Sequence, residues 1–158
     1  MNSNYRVRRQ RNRRGLATVE LAIVLPVLML LLFGIMEMGL LFKDVLMLQQ
    51  GVREGGRTAA LGSTIEQVSS TVTSSAVSLT GSITITQQVR TWNVTTWGSW
   101  APLTDSSSTS NAALSGSQIK VSATYDHMLV TGGLFSFIAT DTAKTKVTIS
   151  ASSIVRRE

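Results

Sequence analysis

The chain has 158 residues and carries 15 lysines and arginines against nine aspartates and glutamates, a formal net charge of +6. This length fits a single domain, or one modest domain plus an anchor. Because the chain has no cysteine, disulfides, thiolate zinc sites and cysteine nucleophiles are excluded. A single histidine leaves little for metal or acid–base chemistry.

The positive charge is concentrated at the start of the chain. Six of the 15 basic residues are arginines within the first 14 positions, and the remaining nine are balanced by nine acidic residues. Proteins that bind nucleic acid carry their cations as a stripe or patch that neutralises phosphates. We therefore expect no nucleic acid partner, and we predict neither a cofactor nor a small-molecule substrate.

An apolar run follows the arginines. Residues 16–42 contain only two charged side chains, Glu20 and Glu37. As a helix the run would be about 40 Å long, enough to cross a hydrocarbon core of ~30 Å with some tilt. A cleaved secretory signal is the alternative, but the run exceeds the usual apolar region of about 7–15 residues. A retained membrane helix is predicted, with the arginines marking its cytoplasmic end.

Two residues stand out at the junction between the basic and apolar segments. Glu20 lies inside the apolar run, where a carboxylate costs a few kcal/mol unless it is paired, protonated or able to reach the interface. This position favours a functional role, with a glutamate that reaches the headgroups as the alternative. Gly15 separates Arg14 from Leu16, and extended backbone without a side chain enters a protease cleft easily.

The segment RRGLATVE at residues 13–20 resembles the processing site of type IV prepilins and pseudopilins. The resemblance implies that a membrane prepilin peptidase cuts between Gly15 and Leu16 on the cytoplasmic face. Glu20 would become the fifth mature residue, and would pair with the N-terminal amine of a neighbouring subunit to set the register between them. A cation created by cleavage would stabilise a carboxylate in a medium of low dielectric constant.

Three further stretches are similar to the TadE-like family of tight-adherence pilus assembly proteins. They are ATVELAIVLP at 17–26, GIME at 34–37 and VREGGRTAA at 52–60, and IVRRE at 154–158 is similar to the family's C-terminal finish. The sequence departs from the usual family pattern at Leu21, where an aromatic residue is common, and at Val52 and Gly56, where alanine is frequent.

The resemblance implies a bacterial pseudopilin-like protein with a role in pilus assembly or secretion and in cell adhesion, and not an enzyme. Its N-terminus would be cytoplasmic, a single helix would cross the cytoplasmic membrane, and the C-terminal domain would be extracytoplasmic. The implied partners are the membrane, prepilin peptidase and other pilin-like subunits. A membrane-anchored extracellular binding module without a pilus role is the alternative.

The chain after the apolar run is predicted to continue as a helix with a narrow apolar stripe. Apolar and small residues recur there at helical spacing, and Gly62 predicts the helix end. Small residues such as Gly55 allow a partner helix or the exported sheet to approach closely. For Arg53, Glu54 and Arg57, a solvated face and a subunit contact are both open interpretations.

A Ser/Thr-rich domain follows. Alternation of apolar and polar residues predicts strands around 83–89, 119–125 and 147–151, and helical spacing predicts a second helix over 65–79. The fold class is therefore α+β, with a long transmembrane helix continuing into an amphipathic helix, then a small antiparallel sheet with a second helix. The predicted organisation is a basic leader at 1–15, the transmembrane helix at 16–42, a juxtamembrane helix at 43–62 and the exported domain at 63–158.

The remaining polar and aromatic residues are expected to have structural and not catalytic roles. Asp126 and His127 are neighbours in a predicted strand, so they point to opposite faces and cannot readily pair. We expect His127 at a strand end or on the surface, and no nucleophile elbow accompanies it. Trp92, Trp97 and Trp100 are expected to fill the small core of the sheet.

Overall fold

The computed structural model describes the backbone of residues 13–158 and the side chains of residues 17–158. Most of the predicted basic leader at 1–15 therefore lies outside the described residues. The elements, in chain order, are α1 (Arg13–Ala60), α2 (Ile65–Ser75), β1 (Ile83–Arg90), β2 (Trp92–Asn93), β3 (Thr96–Trp97), β4 (Ala101–Pro102), β5 (Gln118–Met128), a 3-10 helix (Gly132–Ile138) and β6 (Lys146–Arg156). The predicted α+β class is confirmed.

The chain divides into two compact units, Met1–Met36 and Glu37–Glu158, and α1 contributes to both. In the first unit, the side chains of residues 17–36 are exposed on every face of the helix, apart from a partly buried Gly34. By length and composition, α1 is the one helix among the described residues that can cross a membrane. The predicted apolar helix near the N-terminus is therefore present.

The second unit is built on a four-stranded antiparallel sheet with the strand order β4-β1-β5-β6. β1 pairs with β5 from Ile83 opposite Tyr125 to Arg90 opposite Gln118, and β5 pairs with β6 along the whole length of both strands. The three long strands lie where alternation predicted them. The short strands β2 and β3 form a separate hairpin.

The two helices cover one face of this sheet. Leu48, Val52 and Ala59 of α1 form a buried core with Val68 and Val72 of α2. The inward-facing side chains of β5 complete this core, and they are Ile119, Val121, Ala123 and Tyr125. The opposite face of the sheet carries the Ser, Thr and Lys side chains of the alternating pattern, which are exposed or partly buried.

α2 begins at a capping box. Thr64 Oγ1 accepts a hydrogen bond from the backbone N–H of Gln67 at 3.3 Å, and Gln67 Oε1 accepts one from the Thr64 N–H at 3.2 Å. These two bonds satisfy donors that a helix start otherwise leaves unpaired. The helix starts at the predicted residue but ends at Ser75, four residues before the predicted end.

Small residues allow the close packing of α1. A Cβ atom at Gly55 would overlap Cγ2 of Val72, and one at Gly51 would lie 2.8 Å from the Val72 carbonyl oxygen. On another side of the helix, a Cβ at Gly56 would lie 3.1 Å from Ser153 Oγ in β6. The small-residue stripe therefore brings α1 against both α2 and the sheet of the same chain.

The expectation that the tryptophans fill the core is wrong. Trp92 is 51% exposed, and Trp97 and Trp100 are partly buried. The inner face of the sheet is filled by aliphatic side chains, whereas Trp92 and Trp97 belong to the β2–β3 hairpin beyond the end of β1. The Arg90 guanidinium lies 5.2 Å from the Trp97 ring centroid and 4.4 Å from that of Trp100, which is cation–π geometry.

Candidate functional site

The structure places the sequence-predicted residues in two separate groups. Gly15 and Leu16 lie within α1, but the surroundings of these two residues are not among those described. Glu20 is exposed in the first unit. Arg53, Glu54 and Arg57 belong to the second unit and are exposed on α1, whereas Gly55 is buried against α2.

A second site, which the sequence analysis did not predict, joins α1 to the end of β5. Glu37 and Asp44 are seven residues apart, and so lie on the same side of a helix with about 3.6 residues per turn. Both are buried, with 1% and 7% of their surface exposed, and His127 of β5 is only 4% exposed. We call Glu37, Asp44, His127 and Thr131 the buried polar cluster.

Glu37 has its own set of hydrogen-bond donors. Its Oε1 accepts from the backbone N–H of Val130 at 2.9 Å, and its Oε2 accepts from the N–H and the hydroxyl of Thr131 at 3.0 and 2.7 Å. A buried carboxylate is tolerated when donors of this kind replace its hydration. The segment that leaves β5 is therefore held directly against α1.

His127 lies between the two carboxylates. Its Nδ1 is 2.7 Å from Asp44 Oδ2, and because a carboxylate only accepts, Nδ1 carries the hydrogen of this bond. Its Nε2 is 3.7 Å from Glu37 Oε1 and has no hydrogen-bond partner among the described residues. On the solvent side, Lys43 Nζ lies 3.6 Å from Asp44 Oδ1.

His127 lies near the end of its strand, which is one of the two expected locations. The other, a location on the surface, does not apply because His127 is buried. It is an even number of residues away from the core residues Val121 and Tyr125, so its side chain points to the same face of the strand, towards the helices. Asp126 points to the other face, where it accepts a hydrogen bond from the Thr148 hydroxyl at 2.8 Å.

The geometry of the buried polar cluster favours a positioning role. Both carboxylates already accept hydrogen bonds from the protein. Among the described residues, no group of three or more His, Asp or Glu side chains is arranged to hold a metal ion. Removing a carboxylate from such a set costs about 1–3 kcal/mol for each donor left without an acceptor. The cluster therefore fixes the start of the second unit to its sheet.

The other end of α1 is fixed by residues from distant parts of the chain. Asn111 Nδ2 donates to the carbonyl oxygens of Ala59 and Ser63 at 3.1 and 2.9 Å. Arg157 Nη1 donates to the Ala60 carbonyl at 2.9 Å. A cation and amide donors at these carbonyls satisfy the acceptors that a helix end leaves free. Gly62, with a φ of +94°, makes the turn there.

The family comparison covers this helix. Residues 15–57 match the family model for TadE-like protein. No curated protein and no solved structure matches the chain. The TadE-like match confirms the resemblance over these residues, and it connects the chain with a structural, pilus-related family.

The TadE-like segment contains only half of the buried polar cluster. Glu37 and Asp44 lie within the match, whereas His127 and Thr131 lie outside it. The sequence did contain two signals for the cluster: two acidic residues at a spacing of seven, and a histidine in phase with the apolar residues of its strand. Neither signal identifies the contact, because the pairing depends on how β5 lies along α1.

Proposed function

We propose that this chain is a prepilin-like membrane component of a tight-adherence pilus assembly or secretion system, processed by prepilin peptidase after Gly15. The observation that carries the proposal is the TadE-like match, which begins at Gly15 and extends over the whole exposed apolar part of α1. The match thus starts at the residue where the sequence predicts that the leader ends.

The exposure of α1 supports membrane insertion. Residues 17–36 would span about 30 Å as a helix, the thickness of a hydrocarbon core. Soluble monomers rarely expose a continuous apolar surface of this size. The arginines before residue 15 would keep the N-terminus cytoplasmic and place the second unit on the extracytoplasmic side.

The processing site is tested by the mass of the mature protein. After co-expression with an active prepilin peptidase, we expect a chain that begins at Leu16. Gly15→Val should block cleavage, because a branched side chain obstructs close approach of the peptidase to the backbone. Gly39→Val is the matched control, since a Cβ at Gly39 has no atom within 4 Å apart from its chain neighbours and the nearby backbone of its own helix. A wild-type N-terminus upstream of Leu16 would contradict the proposal.

Glu20 is proposed to set the register between subunits. Its exposure on α1 leaves it accessible to a neighbouring chain, and cleavage would supply a new amine as its partner. Glu20→Ala should leave cleavage intact but reduce the amount of assembled pili. The Glu20→Gln variant separates the loss of charge from the loss of volume. Unchanged piliation in both variants would remove this role.

Arg53, Glu54 and Arg57 are proposed to contact a neighbouring subunit. All three are exposed, while the adjacent Gly55 is buried within the chain, which supports an outward-facing charged surface at this point of α1. Charge reversal of Arg53 and Arg57 should reduce assembly without lowering thermal stability. If cells that lack the whole protein still form pili, the anchored binding module would be favoured instead.

A further inference from the structure

The segment that follows β5 exposes apolar side chains. Residues 128–140 contain no charged residue. Within them, the exposed fractions are 62% for Met128, 63% for Val130, 49% for Leu134 and 78% for Phe137. Between the first two, Leu129 is 7% exposed and anchors the segment to the core. The outward-pointing side chains are therefore held in place on a structured segment.

The buried polar cluster determines where this segment lies. Val130 and Thr131 donate to Glu37, and His127 contacts Asp44, so β5 runs along α1 towards the beginning of the second unit. Glu37 directly follows Met36, the last residue of the exposed apolar unit. The beginning of this segment, at Val130 and Thr131, is therefore bound at the residue where α1 enters the second unit.

The outer face of α1 is apolar at the same end. Met38, Phe42 and Leu46 are 45%, 63% and 64% exposed and are spaced four residues apart, so they lie along one face of the helix. The side chain of Lys43 is 46% exposed, and Lys144 is also exposed. Lysines beside an apolar surface place their amines among lipid phosphates while their stems remain in the apolar layer.

We propose that residues 128–140 insert Val130, Leu134 and Phe137 into the outer surface of the bilayer, as a second membrane contact of the domain. The occupant is lipid, because the segment is bound at Glu37, next in the chain to the exposed apolar residues of α1, and because Lys144, which follows the segment, is exposed. Burying these side chains would remove three of the four large exposed apolar groups of the segment from water. The inference rests on the proposed membrane anchoring by α1.

The absence of cysteine makes a site-specific test possible. The full chain with Phe137→Cys is labelled with an environment-sensitive fluorophore and reconstituted into phosphatidylcholine and phosphatidylglycerol vesicles. Val94→Cys is the matched control, since Val94 is 89% exposed in the β2–β3 turn, near the opposite end of the sheet. Leu134→Cys provides a second position if the first variant folds poorly.

We expect the label at position 137 to shift to shorter wavelength and to be quenched several-fold more by nitroxide lipids than the label at position 94. Iodide in the water should quench the two labels in the reverse order. Equal quenching by iodide would overturn the inference. A wavelength shift that is lost at high lipid-to-protein ratio would indicate a second copy of the chain, and would also overturn it.

Flotation of the same vesicles separates this inference from the proposed function. A chain that floats with lipid while its label at 137 remains aqueous has its α1 anchor but lacks the second contact. A chain that does not float with lipid contradicts both the anchoring and the second contact.

Discussion

The two halves of α1 belong to one continuous helix but present different surfaces. Residues 17–36 expose apolar side chains on every face, whereas the half that begins at Glu37 has one buried face and one exposed face. The buried face begins with two carboxylates and continues with interspersed aliphatic residues and glycines. The change in surface begins at Glu37, the first carboxylate of α1 after Glu20, which accepts hydrogen bonds from the segment that follows β5.

The largest effect is expected from Glu37→Ala. This change removes the buried carboxylate with which the second half of α1 begins. Three hydrogen bonds to Val130 and Thr131 would be lost, and the part-buried donors would remain without an acceptor. We expect the second unit to lose about 3 kcal/mol or more, because each donor that loses its acceptor costs about 1–3 kcal/mol. Urea unfolding of the detergent-solubilised chain, followed by tryptophan fluorescence, measures this loss.

Glu54→Ala is the control for this measurement, because Glu54 is an exposed carboxylate on the same half of α1. A loss no greater in Glu37→Ala than in Glu54→Ala would show that the buried polar cluster does not stabilise the domain.

Two glycines of α1 should respond to alanine in opposite directions. At Gly55 the new methyl group overlaps Val72, so Gly55→Ala should destabilise the domain by about 1–3 kcal/mol. At Gly39 a new methyl group meets nothing within 4 Å beyond its chain neighbours and the nearby helix backbone, so Gly39→Ala should stabilise the helix by up to about 1 kcal/mol. Thermal unfolding of both variants checks the signs, and the same sign in both would contradict the packing described here.

A smaller effect is expected at the end of α1. Arg157→Ala removes the bond to the Ala60 carbonyl and the cation at the helix C-terminus, for a loss of about 1–2 kcal/mol. Arg53→Ala, on the exposed face of the same helix, is the control and should change stability little. Chemical denaturation compares the two variants. If their unfolding curves superimpose, Arg157 has no capping role.

The smallest effect concerns the turn before β6. Asp141 accepts from the N–H of Lys146, and from the N–H and hydroxyl of Thr145, and these bonds hold the pKa of its carboxyl below the usual value. A lowered pKa in the folded state means that the bonds stabilise the turn above the unfolded pKa, about 3.9. This stabilisation is lost as the pH falls through the folded pKa.

Hydrogen exchange of the Thr145 and Lys146 amides should therefore accelerate at acidic pH relative to other amides of the sheet. Asp141→Asn should remove this pH dependence, and an unchanged dependence in that variant would assign it to another group.

Much of the second unit was predictable because its residues repeat with simple periods. The alternation in 83–89, 119–125 and 147–151 predicted β1, β5 and β6, and the spacing in 65–79 predicted α2. What periodicity could not supply was the partner of each face. His127 is in phase with Tyr125, but its contact with Asp44 exists only because β5 runs along α1 at that residue.

The location of the tryptophans could not be predicted for a different reason. Their large apolar surface favoured the core, yet the aliphatic side chains of three strands and two helices already fill it. A hairpin beyond β1 and the guanidinium of Arg90 give Trp97 and Trp100 another environment. A short hairpin of two-residue strands has no periodic signal, so sequence reasoning could not predict it.

The bonds at Glu37 and at Ala60 also have a mechanical consequence. A pull along α1 from its apolar end would reach the second unit first at Glu37, whose three hydrogen bonds to Val130 and Thr131 would be loaded together. At the far end, Asn111 and Arg157 hold the last carbonyls of the same helix. α1 therefore cannot slide out along the sheet by breaking one contact at a time, and tension in it would be shared by the whole domain.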